Sequence, residues 1–119
     1  MDTIKRVGLA FLLTLGCGAT QEKPLSKSER EIQFGQCLAE KAVMYGASWC
    51  MPCKEQKKTL GEGWNYLKHK YVDCDGTEVE EQLCDDKDIK YFPTWEIDET
   101  FYEGYQTIEE LSQFSGCKY

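Results

Sequence analysis

The sequence predicts an α/β domain: a central mixed four-stranded sheet flanked by helices, ordered helix, strand, helix, strand, helix, strand, strand, helix. Three observations carry that prediction. Short β-prone apolar runs at 42–45 and 71–74 alternate with helical stretches, which implies parallel strands joined by crossover helices. Two later runs, 89–97 and 101–104, are separated only by Asp98-Glu99-Thr100, a hairpin connection that adds an antiparallel edge. Finally, Cys50-Met51-Pro52-Cys53 stands where the first strand gives way to a helix.

Residues 1–19 read as a signal peptide. Lys5 and Arg6 give a positive start, 7–15 is apolar, and Gly16, Cys17, Gly18 and Ala19 form a small-residue exit. The apolar run falls far short of the roughly 20 residues a spanning helix needs. Leu13-Thr14-Leu15-Gly16-Cys17 resembles a bacterial lipoprotein box, which makes Cys17 a lipidation site and the first mature residue, although Thr14 stands where an aliphatic is usual. Plain cleavage near Ala19 is the alternative. Residues 20–28 are polar and read as a flexible tether, leaving 29–119 as the domain.

The first helix is expected over 29–41, with Ser28 and Glu31 as a capping box and Gly35 as a weak point. The strand 42–45 follows, then a helix from the cysteine pair to Leu60, stopped by Gly61 and Gly63. Residues 64–70 fit either a loop or a short helical turn. After the strand 71–74, Asp75-Gly76 turns the chain into a helix over 78–86, capped by Thr77 with Glu80 and burying Val79, Leu83 and Cys84. Pro93 interrupts an aromatic run at the head of the third strand, where Trp95 is expected in the core and Tyr91 and Phe92 suit core or groove. The last helix, 107–114, is capped by Thr107 with Glu110 and turns Ile108, Leu111 and Phe114 to one face.

A formal charge of −7 over 119 residues leaves no basic patch to neutralise phosphates, which excludes nucleic-acid binding. The acidic runs 78–81 and 85–86 read as solvated faces, and His69, between two lysines, as a surface residue. Seven cysteines suit an oxidising compartment, where spare pairs close as disulfides. The first cysteine of the Cys50/Cys53 pair falls at a helix start, where unpaired N–H groups and the helix dipole favour thiolate over thiol. A pair in that setting is suited to thiol–disulfide exchange, in which the thiolate attacks.

The order of elements, the stretch Tyr45-Gly46-Ala47-Ser48-Trp49-Cys50-Met51-Pro52-Cys53, the later Phe92-Pro93-Thr94 and Gly104 together resemble a thioredoxin fold over residues 29–117. Within that superfamily the chain is similar to small extracytoplasmic domains found alone or fused to vitamin K epoxide reductase-like membrane proteins. Phe34-Gly35-Gln36-Cys37-Leu38, Tyr71-Val72-Asp73-Cys74, Leu83-Cys84 and Phe92-Pro93-Thr94-Trp95-Glu96-Ile97 carry this likeness. The resemblance implies Cys50 as an exposed nucleophile and Cys53, one turn on, as the resolving cysteine. Pro52 starts the helix without wasting a donor. Trp49 packs beside the pair. Pro93, if cis, leaves the Phe92 backbone free for an extended substrate and bars an adventitious metal ligand, with Thr94 in support. Met44 stands where thioredoxin has a buried aspartate, so the carboxylate proton relay is missing and Cys53 should resolve slowly at neutral pH.

Members of that branch resemble this chain at Cys74 and Cys84, which implies a structural disulfide closing a short loop. In such a fold Cys37 and Cys117 lie at the sheet end opposite the active site. A bond between them would tie the first helix to the last; two unpaired thiols are the alternative.

The expected function is an extracytoplasmic, bacterial cell-envelope thiol–disulfide oxidoreductase with no cofactor beyond the Cys50–Cys53 disulfide and no metal. Cysteine-containing proteins are its expected substrates, and a vitamin K epoxide reductase-like membrane protein its expected redox partner. A lipid anchor is its sole expected tie to a membrane. Two other classes fit the same pair: a copper-binding or chaperone module, for which Met51 or His69 would have to supply a third ligand, and a noncatalytic adaptor.

Overall fold

The structure is a computed structural model and describes residues 23–119. The leader 1–19, with Cys17, and the start of the tether lie outside the described residues. The helices are α1 (Lys27–Ala39), α2 (Met51–Leu60), α3 (Trp64–Leu67), α4 (Glu78–Asp86) and α5 (Ile108–Ser115). The strands are β1 (Ala42–Gly46), β2 (Tyr71–Asp73), β3 (Thr94–Ile97) and β4 (Thr100–Glu103), in the sheet order β2-β1-β3-β4. The stretch 64–70, which the sequence left open, is a single α-turn between two 3-10 turns.

The sheet is mixed, as the sequence predicts, with a different balance of directions. Only β1 and β2 run parallel; β3 lies antiparallel to both β1 and β4. Alternation of strands and helices does not encode which side of β1 the chain returns to. Here it crosses to the far side of β1 and comes back reversed, pairing Tyr45 with Thr94 and Ala42 with Ile97. The start of β3 therefore lies beside the end of β1, which places the Pro93 loop at the cysteines.

Helix α1 starts at Lys27 and is capped by Ser26, not Ser28. The capping motif fits twice here, and the Ser26 hydroxyl takes the Glu29 N–H while the Glu29 carboxylate takes the Ser26 N–H. Glu31 is engaged elsewhere: its carboxylate accepts from Glu62 N–H at 3.1 Å and pairs with Lys27 at 3.0 Å. Those contacts hold its pKa below the usual glutamate range, the Glu62 N–H being the largest cause. Gly35 has a packing reason: a Cβ there would collide with the backbone of Gly63, so α1 meets the 3-10 turn after α2 backbone to backbone. The boxes at Thr77/Glu80 and Thr107/Glu110 form as the sequence predicts.

Phe34 and Leu38 of α1, Met44, Trp95 and Ile97 of the sheet, and Leu111 of α5 build the core. Gln56, a fully buried polar side chain of α2, joins three segments. Its Oε1 accepts from Trp95 Nε1 at 3.0 Å and from Gln106 N–H at 2.8 Å, and its Nε2 donates to Gln106 O at 2.9 Å. Helix α2, strand β3 and the link into α5 are thus held by one amide.

Helix α4 differs from expectation. Val79 is 78% exposed and Leu83 36%; only Cys84 faces inward. The helix is tied down at Cys74–Cys84 (Cα–Cα 5.7 Å) and through Glu80, which accepts from Asp73 N–H at 3.1 Å. At the opposite end of β1 from Cys50, Lys41 Nζ donates to Ser115 O at 3.0 Å, and Cys37 is bonded to Cys117 with Cα atoms 5.9 Å apart. The tail is docked there: Tyr119 meets the Phe34 ring edge-on at 5.5 Å, under the Arg30 guanidinium.

Candidate active site

Cys50 is the N-cap of α2, in extended backbone (φ −84°, ψ 115°), and its Sγ accepts from Cys53 N–H at 3.1 Å. The two cysteines are joined, with Cα atoms 5.3 Å apart. Pro52 falls in the first turn of α2, where its missing N–H forfeits no intrahelical bond. No acidic residue stands in that turn, and Lys57 and Lys58 occupy the last one. No carboxylate of that first turn opposes the dipole at Cys50, which favours negative charge on this sulfur.

The facing wall is the loop before β3. The Phe92–Pro93 peptide bond is cis, and Pro93 is buried. Cys50 Sγ lies 3.5 Å from the Phe92 carbonyl oxygen. The loop is pinned from both sides, by Thr94 Oγ1 donating to Tyr91 O at 2.6 Å and by Gly104 N–H donating to Pro93 O at 2.7 Å. Thr94 itself is buried. Gly104 follows β4 at φ +92°, a conformation L side chains rarely adopt, which explains a glycine there. Among the described residues the Phe92 peptide groups take no main-chain hydrogen bond. They remain available to an extended chain laid across the site.

Cys50 is less open than the sequence suggested, at 4% exposure. The Phe92 carbonyl and Cys53 screen it, and the exposed groups stand around it. Trp49 (63% exposed) leans edge-on against Phe92 at 5.8 Å, and Met51 (62% exposed) sits on the other side. Trp49 thus forms a rim and does not cover the pair. Beside the rim, Met51, Pro52, Glu55 and Tyr105 line an open, mainly apolar groove of about 440 Å³. Cys53 lies beneath, fully enclosed.

The sequence reading missed two residues of this region. Gln56 braces α2 against β3; its one signal was the spacing of Cys53, Gln56 and Leu60, three positions on the buried face of the helix. Tyr71, read only as a strand residue, comes up behind Cys53. Met44 lies in the core, fully buried. His69 is exposed, and among the described residues no group of three or more His, Cys, Asp or Glu side chains converges on a metal-sized point. No described helix is long and apolar enough to cross a membrane.

A mixed four-stranded sheet with helices on its faces, a Cys-x-x-Cys pair at the start of α2 and a cis-proline loop against it define a thioredoxin-like fold with a redox-type cysteine pair. Its sequence is similar to that of thiol-disulfide oxidoreductase LTO1 of Arabidopsis thaliana, with 38% identity over 82 residues. The match covers 63% of this chain and 21% of the plant protein, so the chain spans about a fifth of that relative's length. No family model matches the chain.

Proposed function

We propose that the protein is an extracytoplasmic thiol–disulfide oxidoreductase that exchanges electrons with cysteine-containing proteins through a mixed disulfide at Cys50. The observation that carries this reading is the outer sulfur of a Cys-x-x-Cys pair held at a helix N-cap, 3.5 Å from the Phe92 carbonyl and ringed by exposed apolar groups. A substrate strand laid along Phe92 would present its own sulfur in line with Cys50. Attack by a substrate thiolate on Cys50 forms the mixed disulfide and releases Cys53 as thiolate; a second substrate thiolate then attacks the linked substrate sulfur, leaving the substrate oxidised and the pair reduced. The reverse sequence reduces a substrate disulfide. Similarity to a protein named as a thiol-disulfide oxidoreductase supports the class of reaction.

The compartment belongs to the same proposal. A leader over 1–19, lipidation at Cys17 and two further disulfides suit a tethered cell-envelope protein. Its electron partner would be a membrane protein of the vitamin K epoxide reductase-like type, following the resemblance of the chain to such domains. Insulin reduction and oxidative refolding of a reduced substrate test the activity together. Turnover in at least one, abolished by Cys50→Ser, is the expected result; a folded wild-type protein silent in both refutes it. Equilibration with glutathione then fixes the direction.

A further inference from the structure

Tyr71 carries the one buried side-chain polar atom among the described residues that has no hydrogen-bond partner, its hydroxyl. Such an atom is costly in a folded protein, and its position is informative. Tyr71 is the first residue of β2, paired with Met44 on β1. A Cβ placed on Gly46 would lie 2.9 Å from Tyr71 Oη and 3.0 Å from Cys53 Sγ. The hydroxyl and the inner sulfur of the redox pair therefore converge on the same point over Gly46, where a methyl would not fit and where the glycine lets both approach the backbone.

From this arrangement, and resting on the oxidoreductase reading above, we infer that the Tyr71 hydroxyl is the hydrogen-bond donor that stabilises the Cys53 thiolate during exchange. In the oxidised form the hydroxyl makes no hydrogen bond to Cys53 Sγ, so the donor is idle there and the sulfur must turn toward it when the disulfide opens. A disulfide sulfur is a poor acceptor, whereas the thiolate that replaces it is a strong one. The acceptor exists only while Cys53 carries charge. A neutral donor here takes over from the base that Met44 does not supply, by a different route: it holds the anion and leaves its proton to solvent.

The surroundings keep Tyr71 protonated for that task. Burial first, then the Asp73 and Glu80 carboxylates, push its pKa up to about 12. On the other side, Lys57 Nζ of α2 stands 4.0 Å from the ring centroid, and the Trp64 ring of α3 meets it edge-on at 5.5 Å. A cation over the ring draws density from the oxygen and strengthens the O–H as a donor. Lys57 is itself held below the usual lysine range by burial, although Asp73 pulls it up.

In the resolving step, Cys53 thiol loses its proton to water and the thiolate attacks Cys50. The Cys50–Cys53 bond forms, the bond from Cys50 to the substrate sulfur breaks, and the electron pair leaves on the substrate thiolate, which is protonated from solvent. In the opposite direction the same O–H receives Cys53 as the leaving group.

Tyr71→Phe removes the oxygen and keeps the ring. Two measurements read its effect. In a Cys50→Ala background, the iodoacetamide reactivity of Cys53 is followed against pH, peptide by peptide, in the presence and absence of the Tyr71 hydroxyl. The Cys53 pKa should rise by about 1–2 units in Tyr71→Phe, the worth of a hydrogen bond to a charged group. In a Cys17→Ser background, the reduced protein is mixed with 5,5′-dithiobis(2-nitrobenzoate), whose two thiolates leave in sequence. The first release reports Cys50 and should be unchanged. The second reports Cys53 and should slow about 3- to 15-fold at pH 7, since the thiolate fraction falls tenfold per unit while its nucleophilicity rises. Above both pKa values the order inverts and Tyr71→Phe becomes the faster, which a purely structural change would not produce. Tyr66→Phe, an exposed tyrosine of α3, should change neither reading. An unshifted Cys53 pKa in folded Tyr71→Phe overturns the assignment. The alkylation readout needs no substrate turnover, so its failure is separate from failure in the insulin assay.

Discussion

Replacing Gln56 with leucine tests how firmly the two walls of the site are held together. The side chain is fully enclosed, and its amide is the partner of Trp95 Nε1–H, Gln106 N–H and Gln106 C=O. Leucine fills nearly the same volume and leaves all of these groups unpaired in a dry interior. Each orphaned group costs about 1–3 kcal/mol, so with partial relaxation the expected loss is about 3–5 kcal/mol. A domain of this size has about 5–15 kcal/mol in total. With a urea slope of about 1 kcal/mol/M or slightly above, the unfolding midpoint of the oxidised protein should fall by roughly 2–4 M. The helix that carries Cys50 and the strand that follows Pro93 lose their common brace, so exchange activity should fall as well. Gln56→Glu separates the effects: it keeps acceptors for Trp95 and Gln106 N–H but buries a charge, so its stability should recover as pH falls and the carboxyl protonates. A Gln56→Leu loss below about 1 kcal/mol would show that the amide network does not hold these segments.

Three further outcomes follow from the same geometry. The Cys37–Cys117 bond closes a separation of 80 residues and Cys74–Cys84 one of 10, so in the chain-entropy model their removal should cost about 4.5 and about 2.8 kcal/mol; equal denaturation midpoints for the two serine pairs would contradict the model. Glu31 has a lowered folded-state pKa, so its contribution is fully present above the unfolded glutamate value and is lost as pH falls through the lowered one. Glu31→Gln should therefore be less stable than the parent at pH 7 and should close the gap in acid, as read by urea titrations across pH. Tyr71→Phe should raise the melting temperature of the disulfide form, by the equivalent of about 1 kcal/mol, because it deletes a buried donor that has no partner; a lower melting temperature would mean the hydroxyl is bonded after all.

Local chemistry was legible in the sequence, and contacts between distant segments were not. The Thr77/Glu80 and Thr107/Glu110 boxes are three-residue motifs and were readable as such. At α1 the same motif occurs in two registers, and only the engagement of Glu31 by Glu62 decides between them. Gly35 is a weak point by helix propensity alone, and its reason, the backbone of Gly63 packed against it, lies 28 positions away in the chain. Val79 and Leu83 have the spacing of a buried face, but α4 lies at the sheet edge and a disulfide, not an apolar stripe, holds it down. The cysteine pair and the proline were visible because each alters the backbone locally. Their approach depends on β3 running against β1, which no periodicity reports. Gln56 and Tyr71 act through partners far away in the chain, and neither residue type announces such a role.

The unpartnered Tyr71 hydroxyl also bears on the energy of the redox couple. At a pH above the Cys53 pKa, where the reduced protein holds Cys53 as thiolate, a donor idle in the disulfide form and engaged by that thiolate favours the reduced protein by the worth of the bond, about 1.5–3 kcal/mol. For a two-electron couple this corresponds to a reduction potential higher by about 30–60 mV than the pair would have without it. One oxygen atom, out of reach of any substrate, would thus make this domain a stronger acceptor of electrons from the proteins it meets.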